Sequence, residues 1–469
     1  MKKISRVLIA NRGEIALRII RACEDLGIET VLAVSDADRD SLPARVASQC
    51  VCIGPASSLQ SYLNVNAIIT AAVATGADAL HPGYGFLAES AELAGACEKE
   101  GLVFIGPRAD QIRDMGNKLH ARALARKFDV PVLPGSEHVH SPDEAIAAAK
   151  RIGLPVMMKA AAGGGGRGMK IVAASRDMPS LFRSAAAEAR AAFGDDTLYL
   201  ERYLANARHI EVQVIGDRFG NIVHLGERDC SLQRRHQKLV EESPAPGITP
   251  ALRQSICEAA LRIARGMRYQ NAGTVEFIVD QDTGTFYFLE MNTRIQVEHP
   301  VSELVTGIDI VQEQIRVASG AKLRFAQEGV VFRGHAIECR INAESPHMGF
   351  RPSPGTLAEW SPPEGPNIRV DSHCFPGYTV PPFYDSLLGK LIVYGIDRSE
   401  AIRRMRRSLE RFTVRGVDTT IPFLKYVFDQ GGFADGKVNT ALVGTLIERM
   451  TSQTLSATGK AETRAAWMN

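Results

Sequence analysis

The sequence predicts a mixed α/β protein of roughly three domains, from its length and from two changes of pattern along the chain. About the first 115 residues alternate short apolar strands with helix and turn signals, which predicts a layer built on a parallel sheet. Residues 207–300 turn strand-rich and hairpin-punctuated, and a Pro/Gly-rich stretch near 352–382 precedes one clear amphipathic helix. At 469 residues each domain is long enough to bury its own core.

The elements follow in order. "RVLIA" is a short buried strand, and in "NRGEIALRIIRACEDLGIETVLAVS" Ile15, Ile19, Cys23 and Leu26 share one helical face before the strand "TVLAVS". "ALHPGYGFLAES" and "LVFIGP" repeat the strand-then-turn punctuation. From about 118 to 204 the order becomes helix, strand, glycine loop, strand, helix. Strands joined by "GDRFGN" and "DQDTGT" follow. In the late helix "AIRRMRRSLERF", Ile402, Met405, Leu409 and Phe412 form the buried stripe, so the five arginines read as its solvated face. The terminal "TSQTLSATGKAETRAAWMN" is small and polar and is expected to fray. No internal repeat is visible.

Composition is that of a soluble globular chain, 45% hydrophobic and 23% charged, and a net charge of +2 gives no electrostatic case for nucleic acid or an anionic membrane. The opening "MKKISRVLIANRGE" has too short an apolar run for a signal peptide, and no run approaches a membrane span. Eight scattered cysteines, with one C-x-C at Cys50 and Cys52, read as reduced thiols. These features predict a cytoplasmic protein.

"KAAAGGGGRGMK" satisfies G-x-G-x-x-G at Gly163, Gly165 and Gly168. A dinucleotide turn needs a helix after the glycines, whereas "MKIVAAS" reads as a strand. A P-loop needs lysine where Met169 stands. What remains is a hairpin tip whose backbone N–H groups can close over phosphate, with Lys159 beside it, or an ordinary glycine-rich loop.

In "FLEMNTRIQVEHP", Glu290, Asn292, Arg294, Gln296 and Glu298 alternate with apolar residues and share one strand face. "TVEFIVDQDTGTFYFLE" reads as a hairpin; pairing Asp280 with Phe286 sets Glu276 opposite Glu290. Opposed carboxylates repel unless a cation lies between them, and Mg²⁺ with room for phosphate oxygens suits that pair. Arg294, Gln296 and Glu298 suit a small oxyanion: a guanidinium fork, an amide donor and a base. A straight strand would separate Glu290 from Glu298 by roughly 26 Å, so a bend is expected to return Glu298 toward the metal. "ERDCSLQRRHQKLVEE" adds a dense charge cluster that suits either a solvated surface or an oxyanion site.

Together with "HPGYGFLAES", "HAIECRINAE" and "YDSLLGKLI" in the same order, these motifs resemble the biotin carboxylase family of ATP-grasp enzymes, from "RVLIANRGE" to about residue 446. The resemblance implies an N-terminal Rossmann-like domain at 1–117, an ATP-grasp domain at 118–334 with its glycine-rich lid at about 131–204, a C-terminal domain at 335–446 and a flexible tail at 447–469. It implies that Lys118, Lys159, Gly165, Gly166 and Met169 serve ATP. "ERYL" (Glu201, Arg202, Tyr203, Leu204) would be the adenine hinge, and His209, Gln233 and His236 would surround the nucleotide. Glu276, Glu290 and Asn292 would hold Mg²⁺ or Mn²⁺, the two carboxylates also facing ATP. Lys238, Arg294, Gln296, the backbone of Val297, Glu298 and Arg340 would take bicarbonate. Glu298 would act as base, Arg340 would stabilise the biotin enolate, and Tyr84 would lie beside the ureido ring.

The implied reaction forms carboxyphosphate from ATP and bicarbonate and then carboxylates biotin, beneath a lid that excludes water. No A-M-K-M biotinylation hairpin is present. Biotin is therefore expected on a separate carrier chain, with a carboxyltransferase partner, a homodimeric subunit, acetyl-CoA as acceptor and a place in fatty acid biosynthesis. Two alternatives stand beside this: another ATP-grasp ligase that forms an acyl phosphate, or a catalytically dead ATP-binding subunit. Ser345 and Gln49 stand where the family pattern leads one to expect acids, away from the chemical positions.

Overall fold

The structure is a computed structural model that describes residues 4–161, 169–450 and 452. Strands β1 (Arg6–Ile9), β2 (Glu29–Ser35), β3 (Gln49–Gly54), β4 (Ala79–His81) and β5 (Val103–Phe104) form one parallel sheet in the order β3-β2-β1-β4-β5. The order reverses between β1 and β4, and such a switch point opens a crevice beyond the strands' C-terminal ends. There the Asn11 amide, just past β1, donates to the carbonyls of Pro82 and Tyr84, each at 2.7 Å. Helix Gly13–Asp25 buries Ile15, Ile19 and Cys23 against this layer, as its apolar stripe predicts.

Next come β6 (Val156–Ala160), β7 (Lys170–Val172) and β8 (Leu198–Arg202), an antiparallel sheet in the order β7-β6-β8. Helices Pro142–Ile152 and Met178–Phe193 share its apolar core. The glycine run lies in sequence between the antiparallel pair β6 and β7, and a strand rather than a helix follows it, as its sequence predicts. Residues 162–168 lie outside the described residues, and the assignments of Gly165 and Gly166 lie there with them.

The largest sheet is antiparallel. It takes β9 (Ala207–Gly216), β10 (Ile222–Arg234), β11 (Gln237–Ser243), β12 (Asn271–Asp280), β13 (Phe286–Asn292), β14 (His335–Asn342) and the strands Ile368–Ser372 and Leu387–Gly395. Their order is β13-β12-β9-β10-β11-β14, then Leu387–Gly395, then Ile368–Ser372. Because β11 pairs with β14, hydrogen bonding runs unbroken across position 334/335. Helix Pro250–Gly266 buries one face of β9 and β12 through Ile256, Ala260 and Ile263 against Val212, Val275 and Phe277, leaving the other face for polar residues.

The late helix, Arg398–Arg411, buries Ile402, Met405 and Leu409 as predicted. Its arginines are not all solvated: Arg404 donates to the Tyr394 carbonyl and Arg406 to that of Phe428 at 2.7 Å, so their stems lie along the protein and their heads cap backbone oxygens. Residues 447–450, expected to belong to a flexible tail, are helical; the rest of the predicted tail, apart from Ser452, lies outside the described residues. Among the described residues no helix is long and apolar enough to cross a membrane, and all eight cysteines are free thiols.

Candidate active site

A lateral row of charge crosses four strands. Arg228 on β10 pairs with Glu211 on β9, Glu211 with Glu276 on β12, and Glu276 with Glu290 on β13. Three carboxylates side by side repel one another, and cations from other elements offset them. The Lys238 ammonium, from β11, lies 2.5 Å from Glu211, 3.0 Å from Glu276 and 2.7 Å from Glu298. Arg228 donates to Glu211 at 2.5 Å, His209 stands 3.0 Å from Glu276, and Lys118 is 3.8 Å from Glu290.

The opposition of Glu276 and Glu290 arises differently from the sequence expectation. The hairpin pairs Val279, not Asp280, with Phe286, a slip of one residue. A bulge between Phe288 and Glu290 adds one residue back, so Glu276 still faces Glu290. The bulge also lets Phe288 enter the core beside Phe277 while Glu290, only two residues on, turns to the polar face.

Past Asn292 the regular strand stops and the chain bends through 293–298 into helix His299–Thr306. The predicted bend is present. It returns Glu298 to Lys238 and to Arg340, whose guanidinium donates to Glu298 at 2.8 Å and to Glu241 at 2.6 Å. Asn292 and Gln296 donate to Glu276 at 2.8 and 2.9 Å, and the Gln296 oxygen accepts from Arg228 at 3.1 Å. Gln296 is thus a buried strut between the charge row and the bend. Arg294 donates to Glu89 and to the Asn292 oxygen, both at 3.0 Å.

Burial raises the carboxyls of Glu276 and Glu298, but Lys238 beside both outweighs it and holds each well below the ordinary range; His209 and Arg340 add to this. Burial lowers the Lys238 ammonium, yet Glu211, Glu276 and Glu298 drive it well above its ordinary value. Burial pushes Glu241 up to about 7 against the pull of Arg340.

Where a nucleotide is expected, Lys159 donates to Glu201 at 2.5 Å, and Arg122 reaches the other Glu201 oxygen and the Leu133 carbonyl, the latter at 2.8 Å. The Glu201 side chain is therefore engaged within the protein. Arg202 and Tyr203 donate their N–H groups to Pro134 and Pro155, and the Leu204 N–H has no partner among the described residues. Met169 is half-buried immediately before β7. Gln233 pairs with Lys238 across the tight β10–β11 turn, whose two residues, Arg235 and His236, have positive φ. Tyr84, in the crevice of the first sheet, donates its hydroxyl to Glu14.

Glu276, Glu290 and the Asn292 amide supply oxygen donors, which fits a hard divalent cation such as Mg²⁺ or Mn²⁺. Glu290 has no cationic side chain closer than Lys118 among the described residues. The tighter clusters, His209–Glu211–Glu276 and Glu211–Cys230–Glu298, adjoin the Lys238 ammonium, which fills the cation's place there. Sequence reasoning missed Glu211, Glu89 and Arg122, whereas Arg228 stands within "ERDCSLQRRHQKLVEE", the charge cluster that suits either a surface or an oxyanion site. For Glu211 a signal exists: "HIEVQVIG" has the same alternation as the strand that carries Glu290.

Family models match three consecutive stretches of the chain: the biotin carboxylase N-terminal domain at residues 3–112, the carbamoyl-phosphate synthase L chain ATP-binding domain at 117–326, and the biotin carboxylase C-terminal domain at 338–445. The chain is 51% identical to the biotin carboxylase of Nostoc sp. over 94% of its length and 99% of the relative's. It is 50% identical to biotin carboxylase 1 of Bacillus subtilis, over 94% and 98%. Among solved structures it resembles the biotin carboxylase domain dimer of Hydrogenobacter thermophilus 2-oxoglutarate carboxylase, in complex with MgADP, ADP and bicarbonate. That match has a TM-score of 0.92 and 45% identity, covering 95% of this chain and 99% of that one.

Proposed function

The chain belongs to the biotin carboxylase family, a ligase that carboxylates biotin with bicarbonate and ATP, and we propose the residues through which this chain does so. The observation that carries the reading is the meeting of Glu298, Lys238 and Arg340 at the end of the Glu211–Glu276–Glu290 row. Lys238, Arg340 and Arg294 hold bicarbonate against the repulsion of the neighbouring carboxylates and phosphates. Glu298 removes its proton. The freed oxygen attacks the γ-phosphorus of ATP, ADP leaves, and carboxyphosphate results. Collapse to CO₂ and phosphate follows, and phosphate takes the proton from biotin N1′ as that nitrogen attacks CO₂; Arg340 holds the negative charge on the ureido oxygen.

Glu276, Glu290 and Asn292 hold Mg²⁺, which when bound neutralises charge on the phosphate oxygens. Lys118 and Lys159 face the phosphates, and the backbone from Glu201 to Leu204 faces adenine. The domains run 1–117, 118–334 and 335–446. Biotin arrives on a carrier chain, a separate carboxyltransferase completes the transfer in the cytoplasm, and the protein is a homodimer. Acetyl-CoA is the acceptor we assign to the complete complex.

The test is ADP release by the purified chain with Mg²⁺, ATP and bicarbonate, with and without free biotin. Release that requires bicarbonate and rises with biotin is expected. Turnover indifferent to biotin but dependent on another acid or amine would mark a different ATP-grasp ligase; ATP binding without turnover would mark a regulatory protein. Reconstitution with carrier and carboxyltransferase, comparing acetyl-CoA with pyruvate, tests the acceptor.

A further inference from the structure

The lysine of "YDSLLGKLI" has no part in the site described so far. Lys390 is wholly buried on strand Leu387–Gly395. Its ammonium donates to the Val297 carbonyl at 2.8 Å and lies 3.2 Å from Glu14 and 3.7 Å from Asp371. The Glu14 oxygen that it faces also accepts the Tyr84 hydroxyl. Lys390 pairs directly across the sheet with Arg340, which holds Glu298. Neighbouring residues of two adjacent strands thus grip consecutive residues of the bend.

The other side of the bend is anchored as well. The Gln296 carbonyl accepts from the His299 ring at 2.7 Å and from the His299 N–H at 3.3 Å. With the carbonyls of Gln296 and Val297 both tied down, the N–H groups of Val297 and Glu298 have no partner among the described residues. A buried ammonium needs such compensation to stay charged, and here the compensating Glu14 is also the anchor of Tyr84.

Resting on the carboxylation reading above, we propose that Lys390 is a positioning residue that fixes the bicarbonate-binding bend relative to the Tyr84 side of the crevice, where biotin is received. Its ammonium ties the two halves of the reaction to one distance, so that CO₂ released at the bend meets biotin rather than water.

Lys390→Met keeps most of the buried stem and removes the charge. Three quantities are measured with ATP, labelled bicarbonate and free biotin: the KM of each substrate, kcat, and carboxybiotin formed per ADP released. The expected result is an unchanged KM for ATP, a KM for bicarbonate raised about tenfold, and carboxybiotin per ADP lowered at least about threefold. Lys390→Arg, which keeps the charge, should recover part of the coupling ratio. A purely structural role would lower melting temperature and kcat while leaving the ratio and the KM split as in the parent, and that result overturns the proposal. Glu14→Gln gives a second test should Lys390→Met fail to fold. It keeps the Lys390–Val297 bond, so bicarbonate KM should hold while biotin KM rises and coupling falls; no change in either refutes the proposal. A parent chain without bicarbonate-dependent, biotin-stimulated ADP release would sink the functional reading itself, which is distinguishable from an active parent whose variants match it.

Discussion

In the proposed reaction Glu298 takes a proton from bicarbonate, yet Lys238 at 2.7 Å and Arg340 at 2.8 Å suppress its basicity. On that reading bicarbonate would draw both cations onto its own oxygens, and the carboxylate would become a stronger base as its substrate arrives. Removing the carboxylate should therefore lower kcat by about 10²–10⁴-fold, the usual range for a general base, with ATP affinity preserved; Glu298→Gln assayed for ADP release and nucleotide binding checks this. Removing a cation acts in the opposite sense on the base. In the free protein Glu298 lies well below the ordinary carboxylate range, burial being outweighed first by Lys238. In Lys238→Met its pKa must rise, and since the base works deprotonated, the acidic limb of kcat/KM for bicarbonate should move to higher pH. A limb that stays in place would show that Glu298 is not the titrating base.

At the scale of elements, strand β8, the proposed adenine hinge, is held from two sides through Glu201, by Lys159 on β6 and by Arg122 on helix Lys118–Lys127. Arg122→Met leaves Glu201 with Lys159 alone, so the ammonium is drawn more firmly to the hinge and away from phosphate. The KM for ATP should rise roughly tenfold, about 1.4 kcal/mol, while that for bicarbonate holds, because Glu298 and Arg340 lie on other elements. Steady-state titration of each substrate separates the two. Elements of this kind differ in how far the sequence exposes them. The Glu290–Asn292 alternation, the helix stripe of Ile15, Ile19 and Cys23, and the strand after the glycines are patterns within a few residues, and each folds as it reads. The bulge after Phe288 is not visible that way, because a slipped turn and an added residue leave the same carboxylates opposed. Nor is the meeting of Lys238 with Arg340, which needs β11 and β14 to pair across about a hundred residues of intervening chain. There the ordered motifs of the family resemblance, rather than periodicity, pointed to the residues.

For the molecule as a whole, burial has a cost that pH can reveal. His81 and His373 are wholly enclosed, and desolvation, with help from Arg18 and Arg12, pushes each imidazole down to about 3; burial and Lys390 hold His299 well below its ordinary value too. In the unfolded chain each titrates near the ordinary value of about 6.5. Between pH 7 and 5 the unfolded state therefore binds protons that these folded histidines refuse, and their contribution to stability falls with pH, by about 2 kcal/mol each for His81 and His373 at pH 5. Glu276 and Glu298 are depressed carboxylates whose contribution is lost only below about pH 4.3, so they leave this window alone. His209 opposes the trend: burial lowers it, but Glu276 raises it on balance, so it favours the fold on acidification. Burial-raised carboxyls oppose it too: Glu241, at about 7, and Glu338, well above its ordinary value, take up protons in the fold before they do in the unfolded chain. His373→Gln, which cannot take up the proton in either state, should therefore lose about 2 kcal/mol less stability than the parent between pH 7 and pH 5, read from urea unfolding at the two pH values. His373 packs against Gly13, where the first helix leaves the N-terminal sheet, and its ring contacts the Tyr378 hydroxyl at 3.2 Å. Its protonation would thus strain the junction between the N-terminal layer and the segment after residue 335. An identical pH dependence in the parent and in His373→Gln would show that this junction titrates elsewhere.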